Sequence, residues 1–273
     1  MNSQNPKHLA IALLAVLTGA SARADLVGYY TFEGNANDSS GHGNHGTLSP
    51  VAPVLTAAGG GYTGNGNANS HAYQFGTGST YTDPNNSFIT VPINIDPASM
   101  PLVTFGAWVK ADQTDSVIRG IISHDNGGFD RTIDVDNRAD GIARWSFFTG
   151  SGTYVLVSSA AVTTNWTFLA ARYNTVTNEA QFTINGFHTG VFNAVMGPGL
   201  SNTTIGRNPR FDMPFSGLID NVFFYDEYLT NAQITDIYQN GVAPTAAPEP
   251  STFALGFGAL AVLVVARRRR AGR

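Results

Sequence analysis

Residues 215–226 read FSGLIDNVFFYD. The run is rich in β-branched and aromatic side chains and is bounded by glycine and acidic residues, which is the composition of a strand. With a period of two, Leu218, Asp220, Val222 and Phe224 share one face. Asp220 is then a carboxylate in an apolar row. An ionised carboxylate buried without a partner is costly or shifts its pKa until it is neutral. No Lys or Arg lies within nine residues on either side, so whatever satisfies Asp220 comes from elsewhere in the chain.

Directly after it, residues 229–241 read LTNAQITDIYQNG. Thr230 with Gln233 three residues on is a capping box, and Leu229 and Ile234 occupy the two positions of a hydrophobic staple. Ile234, Ile237 and Tyr238 form an apolar stripe, and Gly241 ends the helix. A lone short helix here is expected to pack over the edge of a β-structure.

Upstream the chain alternates short β-rich runs with Gly, Asn, Asp, Ser and Thr. In residues 179–185, EAQFTIN, the apolar Ala180, Phe182 and Ile184 alternate with polar neighbours, a strand with one wet face. Asn185-Gly186 is a two-residue hairpin signal, and 187–192 returns. Residues 102–110, LVTFGAWVK, are apolar on both faces, as a central strand is. Further strands are read at 26–32, 72–76, 87–91, 117–123, 130–136, 142–148, 153–158 and 165–173. Their spacing predicts an antiparallel sandwich or barrel, not βαβ units. Residues 50–70, rich in Gly, Asn and Ala, read as a long surface loop.

The two ends stand apart from this pattern. Residues 1–24 have Lys7 and His8 before an apolar run, then Ala22-Arg23-Ala24, the layout of a secretory signal peptide cut after Ala24. Residues 244–273 hold a Pro/Ala-rich linker, Pro248-Glu249-Pro250, an apolar helix over 253–266 and a basic tail over 267–273. The helix is shorter than the ~17–25 residues of a typical span, and the arginines place the C-terminus in the cytoplasm. This tripartite tail resembles the PEP-CTERM sorting signal of Gram-negative bacteria. The resemblance implies processing by an exosortase-type enzyme and anchorage in the inner membrane before processing. It implies delivery to the outer surface or the extracellular matrix, with a permanent single-pass anchor as the alternative. The domain proper is 25–243.

That domain carries eight Lys and Arg against eighteen Asp and Glu, a net charge of −10. Such a surface argues against nucleic acid and suits divalent cations. The chain has no cysteine, so an exported domain of this kind relies on its core and on any bound metal rather than on disulfides.

Residues 26–48, LVGYYTFEGNANDSSGHGNHGTL, resemble the first strand and loop of LamG-like, concanavalin A-like lectin/glucanase domains. Residues 103–110 (VTFGAWVK), 165–190 (NWTFLAARYNTVTNEAQFTINGFHTG) and 215–241 continue that resemblance in order. It implies an all-β jelly roll of two antiparallel sheets in which the first and last strands pair. Many such domains bind sugars or proteins, many carry calcium, and some relatives are glycosidases.

If the first and last strands are neighbours, Glu33 and Asp220 approach each other. The loop 31–46, TFEGNANDSSGHGNHG, adds Asp38 and free carbonyls. Carboxylates with carbonyl oxygens suit Ca2+, which takes six to eight oxygen ligands. The expectation is a structural calcium ion on Glu33, Asp38 and Asp220. The alternative is that Glu33 and Asp38 cap turns while Asp220 accepts backbone N–H bonds. His42 and His45 alone, without cysteine, make a weak zinc pattern.

Glycosidase chemistry needs two carboxylates across the scissile bond. The domain's glutamates, Glu33, Glu179 and Glu227, do not form the strand pattern of the related glucanases. Residues 129–141, FDRTIDVDNRADG, offer Asp130, Asp134, Asp136 and Asp140 with Arg131, Arg138 and Arg144 close by. They read as a solvated charged hairpin, with a second cation site as the lesser alternative. For sugar binding the candidates are Trp145 with His124, Asp125 and Arg131, and the loop residues Tyr62 and Tyr81. Trp108 and Trp166 read as core. The sequence thus points to an exported, non-enzymatic carbohydrate-binding or adhesion protein whose partner is an extracellular polysaccharide. A structural surface protein and a divergent glycoside hydrolase are the alternatives.

Overall fold

The computed structural model describes residues 24–242, apart from residues 65, 69, 77–79, 81, 116, 128–129 and 151–153 and the side chains of 154–160. The expected signal peptide, the sorting tail and Tyr81 lie outside the described residues.

Two antiparallel sheets form a sandwich. In chain order the first half of the fold supplies β1 (Leu26–Tyr30), β2 (Thr47–Leu48), β3 (Val54–Leu55), β4 (Tyr73–Phe75), β5 (Ile89–Val91) and β6 (Leu102–Ala111). The middle supplies β7 (Arg119–Ser123), β8 (Thr132–Asp136), β9 (Arg144–Phe148), β10 (Tyr154–Ala161) and β11 (Thr167–Asn174). There follow β12 (Glu179–Ile184), β13 (Phe187–His188), β14 (Phe192–Asn193), β15 (Thr203–Ile205), β16 (Met213–Pro214) and β17 (Gly217–Tyr225), then helix α1 (Asn231–Asn240). The first sheet runs β13-β12-β11-β6-β17-β4-β3, with β1 also on β17 and β14 on β12. The second runs β10-β9-β8-β7-β15-β5-β2, with β16 parallel to β7. This is the all-β jelly-roll sandwich with one short helix that the sequence implied.

The position of β6 follows from its sequence. Val103, Phe105, Ala107 and Val109 face the second sheet, while Trp108 faces the other way into a separate apolar cluster. A strand apolar on both sides must sit in the middle of its sheet, and β11 and β17 flank it. Gly106 is required there: a β-carbon would lie 2.2 Å from the Leu169 carbonyl oxygen and 2.8 Å from the Phe223 ring. Between the sheets aromatic rings interlock. Phe147 of β9 stacks on Phe182 of β12 across the sheets at 5.0 Å, and within the first sheet Phe105 stacks on its register partner Phe224 at 5.9 Å. Such pairs add about 0.5–1.5 kcal/mol each beyond area burial. The predicted β12–β13 hairpin forms, with Asn185 and Gly186 both at positive φ, 47° and 78°, as a two-residue turn of this kind needs.

The helix is capped as read: the Thr230 hydroxyl accepts from the Gln233 N–H and the Gln233 side chain accepts from the Thr230 N–H. Its location differs from the expectation. Ile234 and Ile237 pack with Trp108, Phe168, Phe223 and Leu229, which belong to β6, β11, β17 and the segment leading into the helix. The helix therefore covers the middle of the first sheet's outer face, not the sandwich edge. The central strands carry apolar residues outward and the helix is what keeps them dry. Trp108 is buried against Tyr238 at 5.6 Å and Trp166 packs partly buried on the same cluster.

The hairpin of residues 129–141 is not solvated as its charge suggested. Asp134, Asp136 and Arg131 are fully buried, while Arg138 and the Arg144–Asp140 pair reach the surface. Short strands β2, β3, β15 and β16 were not legible because two or three residues carry no periodicity.

Replacing Thr230 by Ala removes the cap that starts the helix. Thermal unfolding of that variant is expected about 2–4 °C lower than the parent, for a loss of about 1 kcal/mol.

Candidate functional site

The strand β17 serves two neighbours along one edge. Its N-terminal half pairs with β4 through Gly217, Leu218 and Ile219, and its C-terminal half pairs with β1 through Val222 to Tyr225. Neither neighbour pairs with Asp220 or Asn221. On the opposite edge the register to β6 shifts between Asp220 and Phe223, and Asn221 takes a left-handed conformation with φ 50°. One extra residue in a strand reverses the faces beyond it. Ile219, Val222 and Phe224 accordingly point into the main core while Phe223 and Tyr225 point outward beneath the helix. The single apolar row through Leu218, Asp220, Val222 and Phe224 read from the sequence is therefore broken at Asn221.

The breach is closed by the segment 59–71. The Asp220 Oδ2 accepts from the Tyr62 N–H at 2.8 Å and from the Ser70 hydroxyl at 3.1 Å, and Oδ1 accepts from the Asn221 N–H at 2.7 Å. The Tyr62 ring stacks on Trp108 with centroids 3.4 Å apart. Outside this plug lies a cavity of about 250 Å³ lined by Tyr29, Thr31, Glu33, Tyr62, Asn67, Ser70 and Asn221, and closed on one side by the end of α1 at residues 240–242. The Tyr29 hydroxyl donates to Asn221 Oδ1 at 2.8 Å. Glu33 accepts from the Asn67 amide at 3.0 Å and pairs with the His71 ring at 3.0 Å.

Burial governs the electrostatics. Asp220 is fully enclosed, and burial pushes its carboxyl up to about 7 against the three hydrogen bonds that favour the ionised form, with nearby Glu33 adding to the rise. Burial also raises the Tyr29 hydroxyl, with Asp220, Tyr225 and Glu33 contributing. The pocket thus presents neutral hydroxyls and amides, one accessible carboxylate and two tyrosine rings.

The structure brings Glu33 and Asp220 to the same place but does not assemble the expected calcium site. Asp38 has its own partners: the N–H groups of Tyr29, Ser40 and Asn44 and the Ser40 hydroxyl, at 2.8–2.9 Å. Burial opposes ionisation of Asp38, yet these bonds hold its carboxyl below the usual range. It is a turn-stabilising carboxylate, which is the alternative the loop sequence left open. Among the described residues no three His, Cys, Asp or Glu converge to hold a metal ion. Glu33, Asp38 and Asp220 do not fit Ca2+, because a cation there would displace N–H and O–H donors already in place. His42 and His45 are likewise separate, one against Asp25 and the other accepting from the Asp38 N–H.

The sugar-binding constellation predicted around Trp145 is corrected as well. Trp145 is 2% exposed and belongs to the core between the sheets. Arg131 is buried and donates to the carbonyls of Ile95, Met100 and Pro101, at 2.7, 2.6 and 3.3 Å. His124 is buried and accepts from the Arg131 N–H at 3.0 Å. Burial, reinforced by the Arg131 cation, lowers its pKa to about 4. Asp125 accepts from the Gly127 N–H and the Asn208 amide. Arg131, His124 and Asp125 hold loops in place, and Trp145 presents no aromatic face to solvent. Of the loop tyrosines, Tyr62 does line the pocket. Tyr29, Thr31, Asn67, Ser70 and Asn221 carried no sequence signal, since polar residues in loops and at strand ends are common and only the bulge gathers them.

The profile of the concanavalin A-like lectin/glucanase superfamily matches residues 83–235. The chain belongs to this superfamily. Among solved structures it is similar to domain 4 of AbnA, an extracellular GH43 arabinanase from Geobacillus stearothermophilus solved in complex with arabinotriose. The TM-score is 0.56 at 22% identity, covering 79% of this chain and 99% of that one. It is also similar to the binding domain of botulinum neurotoxin serotype D (TM-score 0.54, 13% identity, 79% of this chain). The binding domain of botulinum neurotoxin DC in complex with SialylT gives 0.57 at 12% identity over 80% of this chain. The chain spans 51% of the length of each of these two toxin domains. These likenesses show the fold. No curated protein matches the chain.

Asp220 gives the fold a pH dependence of known sign. Its carboxyl titrates near 3.8 in the unfolded chain and near 7 in the folded one, so the folded state binds the proton more tightly. The stabilisation is complete below about pH 4 and is lost as the pH rises through 7. In Asp220→Asn this dependence is absent. The melting temperature of the variant relative to the parent is expected to climb by several degrees between pH 5 and pH 8, and a constant difference would refute the assignment.

Proposed function

We propose that residues 25–243 form a non-catalytic carbohydrate-binding module that holds one sugar unit of an extracellular polysaccharide in the pocket between β1, β17 and the segment 59–71. The observation that carries this reading is the pocket's lining: a cavity of about 250 Å³ with two tyrosine rings and a ring of hydroxyl, amide and carboxylate groups. Ring faces pack on the C–H face of a sugar while convergent polar groups read its hydroxyls. Membership of a superfamily of lectins and glucanases supports the ligand class. So do the solved structures of similar fold that carry arabinotriose or SialylT in their complexes.

The same geometry argues against hydrolysis. Two carboxyl groups must face each other across the bond that is cleaved. Glu33 lines the pocket, but Asp220 lies behind Ser70, Tyr62 and Asn221 with its oxygens occupied. The signal peptide and PEP-CTERM-like tail read from the sequence support export and presentation at the cell surface or in the matrix, where a polysaccharide would be met.

A glycan array, followed by calorimetry on the best ligand, tests the module. Saturable binding is expected, with Glu33→Gln and Asn67→Ala each weakening it about tenfold or more, as loss of a hydrogen bond to a buried sugar hydroxyl does. Silence of the folded protein across the array, or full affinity in both variants, would leave a purely structural surface role.

A further inference from the structure

The pocket between β1, β17 and the segment 59–71 has a sign. Among the described residues Glu33 is the one charged side chain that lines it, and no Lys, Arg or His does. Most of the domain's cations are committed elsewhere. Arg119, Arg138 and Arg144 are ion-paired with Asp115, Asp136 and Asp140, and Arg131 and Arg172 are turned to buried carbonyls. Behind the lining sits a second carboxyl, Asp220, held by the Tyr62 N–H and the Ser70 hydroxyl. The Tyr29 hydroxyl registers both groups. Burial raises it first, and the charges of Asp220, Tyr225 and Glu33 raise it further.

Glu33 is only partly used by the protein. Its Oε1 accepts the Asn67 amide at 3.0 Å, its Oε2 meets the His71 ring at 3.0 Å, and the His71 N–H is shared between the two oxygens at 3.3 Å. A carboxylate has about four lone-pair sites, so acceptor capacity remains, and the side chain is 35% exposed. Asn67 lines the pocket and His71 does not. Beside this carboxylate are the two tyrosine rings. That of Tyr62 is held in place, stacked on Trp108 with centroids 3.4 Å apart and edge-on to Trp166 at 6.0 Å.

We propose that the sugar unit this pocket selects is a hexosamine with a free amine, whose ammonium is held by Glu33 beside the tyrosine rings. The proposal rests on the carbohydrate-binding reading of the pocket and narrows it to one chemical class. An ammonium donates charge-assisted hydrogen bonds to a carboxylate, which are about twice as strong as neutral ones. The face of an aromatic ring attracts the same cation. A uronic acid would bring its carboxylate toward Glu33 with no cation to offset the repulsion. A neutral or N-acetylated sugar can form hydrogen bonds there but brings no counter-charge to Glu33. The net charge of −10 on the domain acts in the same direction at longer range, drawing a cationic polymer toward the surface and repelling an anionic one.

The test is a glycan array probed with the full chain at pH 7, below the ~7.7–8.0 at which an α-amino group titrates. The array holds oligosaccharides of glucosamine and of galactosamine, each with free and with acetylated amines, beside neutral and uronic acid chains. Calorimetry then compares the best free-amine ligand with its acetylated form. A preference of tenfold or more for the free amine is expected, with no binding of uronic acid chains. Glu33→Gln keeps the shape of the side chain and removes its charge, and in it the two forms should bind within about threefold of each other. The comparison of free and acetylated ligands leaves the protein unchanged, so it decides the question even if Glu33→Gln does not fold. Equal or tighter binding of acetylated, neutral or uronic acid chains overturns the proposal and leaves the carbohydrate-binding module standing. An undiminished preference for the free amine in Glu33→Gln also overturns it. Silence across the whole array removes the module and the proposal together.

Discussion

The shared edge of β17 is the constraint on which the rest of this molecule depends. A single strand is asked to pair with β6 along one side and with two different strands, β4 and β1, end to end along the other. β1 ends and β4 begins on either side of Asp220 and Asn221, both antiparallel to β17, which leaves backbone unpaired between them, and an unpaired buried N–H or C=O is as costly as a lost hydrogen bond. The bulge at Asn221 and the plug formed by Tyr62 and Ser70 resolve the conflict. Asp220 is the fastener: a carboxylate with two oxygens can accept several donors at once, which an apolar residue cannot. The pocket is the outward consequence of the same gap.

Buried charge is the second theme. Arg172 is 1% exposed and ties Leu229, Gln181 and Asn231 together beneath the start of the helix. Arg131 gathers three carbonyls from the loop that leads into β6. A planar guanidinium with five donors can satisfy several orphan carbonyls in a way that no neutral side chain does. In a domain without disulfides, these cations fix the loops that the apolar core does not reach. An acidic domain whose basic residues are partly spent internally also keeps little positive surface, in keeping with the argument against nucleic acid.

Much of the fold was legible because its signals are local. The β12–β13 turn needs positive φ at two successive residues, and Asn-Gly is the pair that supplies it. The capping box of α1 lies within four residues. The central place of β6 follows from apolar side chains on both faces. The errors have a common origin in what is not local. One extra residue at Asn221 inverted the faces of half a strand. The exposed charge read into Asp134 and Asp136 failed because a segment some seventy residues later folds over their strand, and Arg131 is enclosed by the loop of residues 95–101. Trp145 could not be placed until the second sheet gave it an inward direction. Tyr29, Thr31, Asn67, Ser70 and Asn221 come from three separate stretches, and nothing in any one of them marks a site.

By itself, then, the sequence determined an acidic, cysteine-free β-sandwich with a capped helix after its last strand, because side-chain period, turn chemistry and capping are properties of a few consecutive residues. The tertiary structure alone decided which carboxylates are buried, which are partnered and which residues share a pocket. Burial and partnership depend on where distant segments come to rest, and a shift of one residue in a strand, or the absence of one β-carbon at Gly120 where the backbone of Asn208 lies, is enough to change them.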